Sequence, residues 1–156
     1  MSTSSSLLSL SEQVRLVQEG KISAVALVQT QLDEINRLNP QLNSFITVDA
    51  DGALEQARSI DEDRENGAKL GPLAGATIGV KDSIPTKGLR TTDNSRLLEN
   101  WIPQEDASTV KRLREAGAII IGKTNLNEFG WSRPSETDLM PPPWSPWNPN
   151  RMSVGS

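Results

Sequence analysis

The sequence has 156 residues, enough for one ordinary domain, a net charge of −4, and neither histidine nor cysteine. These absences exclude a Ser-His-Asp triad, a Cys-His dyad, a disulfide scaffold and a zinc site built from those residues. The negative charge argues against direct nucleic-acid binding, and no apolar run is long enough to span a membrane. We therefore expect no nucleic-acid or membrane partner, a cytoplasmic location, and any catalysis to use Lys, Ser, Thr, Asp or Glu.

Two helices are predicted at the start of the chain. Ser9 and Glu12 have the spacing of a capping box, so the first helix should begin there and continue to Gly20. Ser23 is positioned to cap a second helix, whose apolar residues recur at spacings of three and four. Pro40 should end this second helix, because proline disfavours a helical conformation at the residue before it.

A short strand and a third helix follow. Residues 44–48 form a short apolar run typical of a strand. Apolar residues from Ala53 to Ile60 have helical spacing, and the charged run 61–65 extends that helix towards Gly67. We expect this charged run to form a solvated face of the helix.

The second half of the chain alternates strands and a helix. Residues 76–80 form an apolar strand that ends at Lys81, and residues 118–121 form another. Between them, residues 108–116 have helical character, and Gly117 is placed to end that helix. This alternation predicts an α/β fold, with N-terminal helices followed by part of a mixed sheet that is covered by helices.

The segment 131–149 contains three of the four tryptophans and six of the ten prolines. So many prolines exclude a regular helix or a central strand. We expect a loop whose tryptophan rings cover a core, with Trp131 simply part of that core. A polyproline ligand for an SH3-like or WW-like module is the less favoured interpretation.

Residues 117–124 match the P-loop pattern, in which four residues separate two glycines and Lys123 and Thr124 follow the second glycine. A phosphate-binding loop needs free backbone N–H groups between its glycines. Here the residues between the glycines are the predicted strand, so sheet pairing would use those groups. We therefore expect the match to be accidental.

Three blocks of the sequence together resemble the amidase signature family. They are residues 73–92 (LAGATIGVKDSIPTKGLRTT), residues 107–129 (ASTVKRLREAGAIIIGKTNLNEF) and residues 148–156, which resemble the opening of a Gly/Ser-rich signature. The family includes fatty acid amide hydrolases, bacterial amidases and the A subunit of the glutamine-dependent aminoacyl-tRNA amidotransferase. The resemblance covers nearly the whole chain but only the N-terminal part of the family's longer domain.

The resemblance implies a Ser–cis-Ser–Lys triad that cleaves amide bonds through an acyl-enzyme, without cofactor or metal. Lys81 falls on the catalytic lysine and Ser156 on the bridging serine. Gly130, Trp131 and Ser132 fall on the acyl side of the cleft. The nucleophilic serine and the oxyanion glycines lie further downstream in the family.

The domain organisation implied by the resemblance is the N-terminal portion of one amidase-signature domain over residues 1–156. Residues 1–68 would be its helical N-terminal region and residues 69–156 the start of its catalytic α/β core, cut at the Gly/Ser-rich signature. We therefore expect the 156-residue chain alone to be inactive on its small-molecule amide substrate, and to need a complementary C-terminal half.

The chemistry is also reasonable for the residues present. Without histidine, a serine proton can pass through a second hydroxyl to a neutral lysine. An ordinary lysine has a pKa near 10.4, so a base at neutral pH needs a shift of roughly three units, or about 4 kcal/mol, which burial can supply. The sequence therefore predicts a buried amine at the end of the apolar strand.

Two alternatives remain. The chain could belong to the tRNA amidotransferase as its A subunit. In that protein the residues after Glu-Phe are usually Ala-Met-Gly-Ser-Ser-Thr-Glu-Asn, whereas this chain has residues 130–137, GWSRPSET. This difference favours a general amidase. The chain could also be a non-catalytic fragment or pseudoenzyme that acts by interaction.

Overall fold

A computed structural model describes residues 8–131 and 138–153. The chain divides into two compact units, the first made of Met1–Glu34, Asp49–Ile78 and Lys111–Ile121, the second of Ile35–Val48, Gly79–Val110 and Gly122–Ser156. The elements are helices α1 (Leu10–Gln18), α2 (Ala24–Leu42), α3 (Ala50–Glu65) and α4 (Ser108–Glu115), strands β1 (Phe45–Val48), β2 (Thr77–Lys81), β3 (Ile119–Thr124), β4 (Trp144–Ser145) and β5 (Asn148–Met152), and short 3-10 turns at Arg96–Leu98 and Glu128–Gly130. In the described ranges, no helix combines the length and the apolar character needed to cross a membrane.

The described strands form a three-stranded sheet of order β1-β3-β2 and a separate β4-β5 hairpin. Strand β1 is antiparallel to β3, with Phe45 opposite Thr124 and Val48 opposite Gly122. Strands β2 and β3 run parallel, because Ile119 N–H donates to the Ala76 carbonyl near one end and Asp82 N–H to the Thr124 carbonyl near the other. The sheet is therefore mixed, and the predicted α/β class is confirmed.

The first unit has an aliphatic core. Side chains from its helices and from the start of β3 are withdrawn from water at the spacings the sequence predicted. Its buried apolar residues include Val17, Leu27, Val28, Leu32, Ala53, Ala57, Ile119, Ile120 and Ile121. Burying each large aliphatic side chain stabilises the fold by about 1.5–3 kcal/mol, so this unit is held mainly by the hydrophobic effect.

The second unit buries polar side chains beside a smaller apolar set. The apolar set comprises Ile46, Val80, Leu89, Val110 and Leu126. The buried polar and charged set comprises Asp82, Thr86, Thr91, Thr92, Asn94, Ser95 and Lys123. A buried polar group that lacks a hydrogen bond costs free energy, so this unit depends on how its polar atoms are paired.

Several local predictions are confirmed. Both bonds of the Ser9–Glu12 capping box are present at the start of α1. The Ser23 hydroxyl accepts the Ala26 N–H at the start of α2. Gly117, at φ +90°, lies two residues after the end of α4. Strands β1, β2 and β3 lie where the apolar runs placed them, with β3 extending to Thr124.

The prediction that Pro40 ends the second helix is wrong. Helix α2 continues to Leu42, with Pro40 inside it. A proline in the last turn costs the helix only the one hydrogen bond that its absent N–H cannot donate, which is a small loss where the helix is about to end. Asn39 helps to fix the exit, because its side chain accepts the Phe45 N–H at 2.7 Å and donates to the Phe45 carbonyl at 2.9 Å.

The charged run 61–65 is not simply a solvated face. The Asp61 carboxylate accepts the backbone N–H groups of Ala24 at 2.9 Å and Val25 at 3.1 Å, and thereby caps α2 from α3. Arg64 bonds to Asp61 at 2.7 Å and to the Val17 carbonyl at 3.2 Å. A carboxylate at a helix N-terminus satisfies free N–H donors and opposes the positive end of the helix dipole.

The proline- and tryptophan-rich segment is also only partly as predicted. It contains no described helix, but β4 and β5 form an antiparallel hairpin in which Trp144 lies opposite Met152. Trp144 is half-buried, whereas Trp131 is 80% exposed and Trp147 is 93% exposed. The expectation that these rings cover a core is therefore wrong for Trp131 and Trp147.

We predict that Asp61→Ala lowers the free energy of unfolding by about 2–3 kcal/mol, because it removes two charge-assisted helix-capping bonds and leaves Arg64 without that carboxylate. Urea unfolding of the chain, followed by circular dichroism, measures the change. Asp63→Ala is the matched control, since Asp63 is an exposed aspartate of the same helix and should change stability by less than about 0.5 kcal/mol. Equal effects of the two substitutions would contradict the capping role.

Candidate active site

Lys81 is the last residue of β2, and its side chain is half-buried. A Cβ atom built on Gly130 would lie 3.7 Å from Lys81 Nζ, so the missing side chain of Gly130 leaves space beside the amine. Gly130 has φ +67°, which glycine adopts without strain. The structure thus brings together Lys81 and Gly130, two residues that the resemblance assigned to one site.

The turn that carries Gly130 is held in place by its neighbours. Phe129 N–H donates to the Asp93 carbonyl at 3.0 Å, and Gly130 N–H donates to the Asn127 carbonyl at 2.7 Å. The Ser95 hydroxyl donates to the Glu128 carboxylate at 2.7 Å. These bonds connect the 3-10 turn Glu128–Gly130 to the segment that leaves β2.

Asp82, the residue after Lys81, is completely buried. One carboxylate oxygen accepts the Thr92 N–H at 2.8 Å and the Thr92 hydroxyl at 2.5 Å. The Asp82 carbonyl also accepts the Asp93 N–H at 3.2 Å. The other carboxylate oxygen has no hydrogen-bond partner and lies 4.0 Å from Lys123 Nζ. Asp82 therefore closes the loop 82–92 and shares a charge interaction with β3.

Lys123 is the buried lysine of this site, with 0% exposure. Its ammonium donates to the Ile84 carbonyl, to the Thr86 hydroxyl at 3.0 Å and to the Thr91 hydroxyl at 2.9 Å. Burial lowers the pKa of Lys123 to about 8, against the opposing effect of Asp82, Asp106 and Asp93. The three hydrogen-bond acceptors account for all the donors of an ammonium group.

Asp93 is a partly buried carboxylate on which the charges of both lysines act. Burial, followed by the Asp82 charge, raises the pKa of its carboxyl group, while Lys81 and Lys123 act in the opposite direction. Its Oδ1 atom is buried without a hydrogen-bond partner. Its backbone has φ +53°, a conformation that aspartate tolerates better than most residues.

The remaining site predictions have mixed outcomes. The expectation of a buried amine is wrong for Lys81, whose side chain is only half-buried, with Gly130 contributing no side chain beside its amine. Trp131 is exposed rather than part of a core. Ser132 and Ser156 lie outside the described residues.

The P-loop match at residues 117–124 is accidental, as expected. Strand β3 occupies the residues between the two glycines, and β1 pairs with Lys123 and Gly122. The Lys123 ammonium is enclosed and already bonded, so it cannot reach a phosphate. The local sequence pattern around Lys123 does not indicate this enclosed position; the three threonines at positions 86, 91 and 92 are the available signal for a polar interior.

Residues 26–156 match the sequence model of the amidase family, which is most of the chain. The chain belongs to the amidase family. Among curated relatives it is similar to the A subunit of the glutamyl-tRNA(Gln) amidotransferase of Streptomyces avermitilis, with 40% identity over 96% of this chain and 30% of that protein. It is 43% identical, with the same coverage, to the corresponding protein of Thermobifida fusca. The chain thus spans about 30% of the length of the curated relatives it matches.

Solved structures of amidases have the same fold. A bacterial aryl acylamidase of the amidase signature family superposes with a TM-score of 0.88 at 25% identity, over 96% of this chain and 31% of that one. The native peptide amidase of Stenotrophomonas maltophilia has a TM-score of 0.74 at 32% identity, over 79% of this chain and 26% of that one. The predicted incomplete amidase-type architecture agrees with this coverage.

We predict that Lys123→Met flattens the dependence of stability on pH between about 8 and 10.5. In the native chain Lys123 loses its proton near pH 8, whereas in the unfolded chain it does so near 10.5. The native state therefore carries an unfavourable charge below pH 8, and stability should rise by up to about 3 kcal/mol as the pH increases through this window. Urea unfolding at several pH values measures the slope.

Lys111→Met is the control for this pH experiment, because Lys111 is an exposed lysine on α4. The control should retain the rise in stability of the wild-type chain. A Lys123→Met variant with the same rise as wild type would show that another group titrates in this window.

Proposed function

We propose that this chain carries part of the active site of an enzyme that hydrolyses amide C–N bonds, with Lys81 as the general base and Ser156 as the proton relay. A nucleophilic serine would lose its proton through the Ser156 hydroxyl to the Lys81 amine and attack the amide carbonyl carbon. The C–N bond would then break, the amine would leave with a proton, and water would hydrolyse the acyl-enzyme.

The observation that carries this proposal is the position of Lys81 within the matched family region. Its amine lies at the end of a sheet strand, half-buried, beside the space left by Gly130. An amine in that setting is reachable by a second hydroxyl, while the buried Lys123 is not. Of these two lysines, Lys81 is therefore the one suited to exchange protons with a substrate-binding cleft.

The substrate side of the proposal rests on the turn that follows Glu128. We assign Gly130, Trp131 and Ser132 to the acyl side of the cleft. The exposure of the Trp131 ring supports this assignment, since the ring is available for contact with a small-molecule substrate. In the family pattern the nucleophile lies C-terminal to Ser156, so the mechanism needs such a segment, in the same polypeptide or as a separate partner. The division at residue 68 and the cytoplasmic location stay predictions from the sequence.

A second candidate function is that of the A subunit of a tRNA amidotransferase. Curated relatives that carry this name are 40% and 43% identical to the chain. In that case the amide cleaved would be the side chain of glutamine, and the ammonia released would be passed to a glutamyl-tRNA. The segment after Phe129 favours the free-standing amidase, and the relatives favour the amidotransferase.

We predict that Lys81→Ala lowers amide hydrolysis at least about 100-fold, because a general base contributes roughly 10²–10⁴-fold to the rate. The assay uses a polypeptide that contains this chain together with whatever its reading frame encodes after Ser156, beside the 156-residue chain, which we expect to be inactive. Lys87→Ala is the control, since Lys87 is an exposed lysine of the following loop and should leave the rate unchanged.

The outcomes separate the alternatives. Hydrolysis that survives Lys81→Ala would refute the role of the lysine, and hydrolysis by the short chain would refute its expected inactivity. Release of ammonia from glutamine that is stimulated by glutamyl-tRNA would favour the amidotransferase over an amidase acting on aryl or peptide amides. No hydrolysis in any arm would favour the non-catalytic alternative.

A further inference from the structure

Residues 92–95 form a tight turn that belongs to the second unit. Ser95 N–H donates to the Thr92 carbonyl at 2.9 Å, and the two residues between them, Asp93 and Asn94, have φ +53° and φ +52°. Two central residues with positive φ are typical of a type I′ turn, which aspartate and asparagine tolerate. Turns usually lie on the surface, but Thr92, Asn94 and Ser95 are fully buried here. The polar groups of such a turn must therefore pair with other segments of the chain.

Asn94 joins this turn to two later segments. Its side-chain amide donates to the Leu126 carbonyl at 2.7 Å and to the Met140 carbonyl at 3.3 Å, and its side-chain oxygen accepts the Met140 N–H at 2.7 Å. The Asn94 carbonyl accepts the Leu139 N–H at 2.9 Å. Asn94 therefore holds the chain just before the Glu128–Gly130 turn and again at residues 139–140.

Ser95 acts on the Glu128–Gly130 turn through one side chain. Its hydroxyl donates to the Glu128 carboxylate at 2.7 Å, which is the distance of a charge-assisted hydrogen bond. The same hydroxyl accepts the Leu97 N–H at 3.3 Å. The Trp131 N–H donates to the Glu128 carbonyl at 3.0 Å. A fully buried serine thus fixes the residue to which the backbone of Trp131 is bonded.

The Glu128–Gly130 turn combines an open space with an exposed ring. Among the residues that the structure describes, and apart from those adjoining Gly130 in the chain, only Lys81 comes within 4 Å of a Cβ atom built on Gly130. The next residue, Trp131, has a largely exposed indole ring. A flat aromatic group can stack on an indole, whereas a methyl group offers it little contact area. A ring that is already held in place loses less conformational freedom when it binds a ligand.

We propose that Ser95 is a positioning residue for substrate binding: its hydrogen bond to Glu128 fixes the turn that carries Gly130 and Trp131, and thereby favours amides with an aromatic acyl group. This inference rests on the proposed function and adds a substrate class to it. Ser95 acts through Glu128 and not by contact with the substrate. Without the hydroxyl the turn is free to move, so aromatic acyl groups lose affinity while the reacting groups keep their chemistry.

The test compares benzamide with acetamide as substrates of the longer polypeptide that contains this chain. We expect Ser95→Ala to raise KM for benzamide about tenfold and to change kcat by less than about twofold, because the lost interaction is one of binding. KM for acetamide should change by less than about twofold, since a methyl group gains little from the ring. Ser59→Ala, at an exposed serine of α3, is the matched control and should leave both KM values unchanged.

Two further variants test the route through Glu128 and Trp131. Glu128→Ala removes the same hydrogen bond but leaves the Ser95 hydroxyl able to accept the Leu97 N–H, so it should raise KM for benzamide as much as Ser95→Ala does. The double variant Ser95→Ala/Glu128→Ala should be no worse than either single variant, because both remove one interaction. In a Trp131→Ala background, Ser95→Ala should have no further effect on KM for benzamide.

Amide hydrogen exchange in the 156-residue chain measures the turn itself. The Phe129 N–H, which donates to the Asp93 carbonyl, should exchange at least about tenfold faster in Ser95→Ala, because local opening of the turn becomes easier. The Ile119 N–H, which donates to the Ala76 carbonyl, is the internal control and should exchange at the wild-type rate. Unchanged exchange of Phe129 would contradict the hold of Ser95 on the turn.

An unchanged KM for benzamide in a folded Ser95→Ala variant would overturn the proposal, as would equal rises in KM for benzamide and acetamide. If Ser95→Ala does not fold, Glu128→Ala decides in the same way. If the wild-type polypeptide hydrolyses neither amide, the proposed function fails, and calorimetric binding of benzamide to the same polypeptide decides the role of Ser95. Weaker binding to Ser95→Ala than to wild type then supports the proposal, and equal binding or no binding overturns it.

Discussion

The ammonium group of Lys123, enclosed by the segment between Asp82 and Thr92, is the interaction on which the second unit depends. This segment leaves β2 and turns back with only one buried aliphatic residue, Leu89, among its described residues. The interior of this segment is instead occupied by Lys123 from β3. Its ammonium donates hydrogen bonds to a carbonyl and two hydroxyls and lies near the Asp82 carboxylate. A polar interior of this kind is stable only if nearly all its groups are paired, because an unpaired one costs more than an apolar contact gains.

Such an interior defines a single conformation more sharply than an aliphatic one does. Hydrophobic side chains of similar volume can repack, but hydrogen bonds tolerate little change in distance or angle. Asp82 closes the loop through Thr92, and the carbonyl of Asp93 accepts the N–H of the turn that places Gly130 beside Lys81. The geometry around the candidate base is therefore determined by buried polar atoms that do not themselves contact a substrate.

Local signals in the sequence predicted the elements well, since capping residues, apolar runs and Gly117 act over a few positions. Two of the errors arose where a distant residue decided the outcome. Asp61 was expected to be solvated because its neighbours are charged, but the start of α2 supplies N–H groups that it satisfies. For Lys123 the chain pattern indicated a strand, and no periodicity could show that its amine would meet threonines about 30 to 40 positions earlier in the sequence.

The prediction of the candidate site depended on the family resemblance rather than on local sequence patterns. Lys81 was identified only through the resemblance, because a lysine at a strand end usually extends to water. Lys81 is only half-buried and Lys123 is fully enclosed, which is the reverse of what the requirement for a buried base predicted. An amine that exchanges protons with a relay must remain reachable, so partial exposure agrees with the role that we propose for Lys81.

The two sets of similarities describe different properties of the molecule. Identity to the amidotransferase proteins is averaged over the whole chain and therefore reports mainly on the scaffold, which amidases of different specificity also have. Substrate choice depends on a few side chains around the reacting amide, and we propose that these include the residues of the turn after Glu128, where an exposed tryptophan follows Gly130. On this ground the segment after Phe129 carries more weight than overall identity in deciding between a free-standing amidase and a component of an amidotransferase.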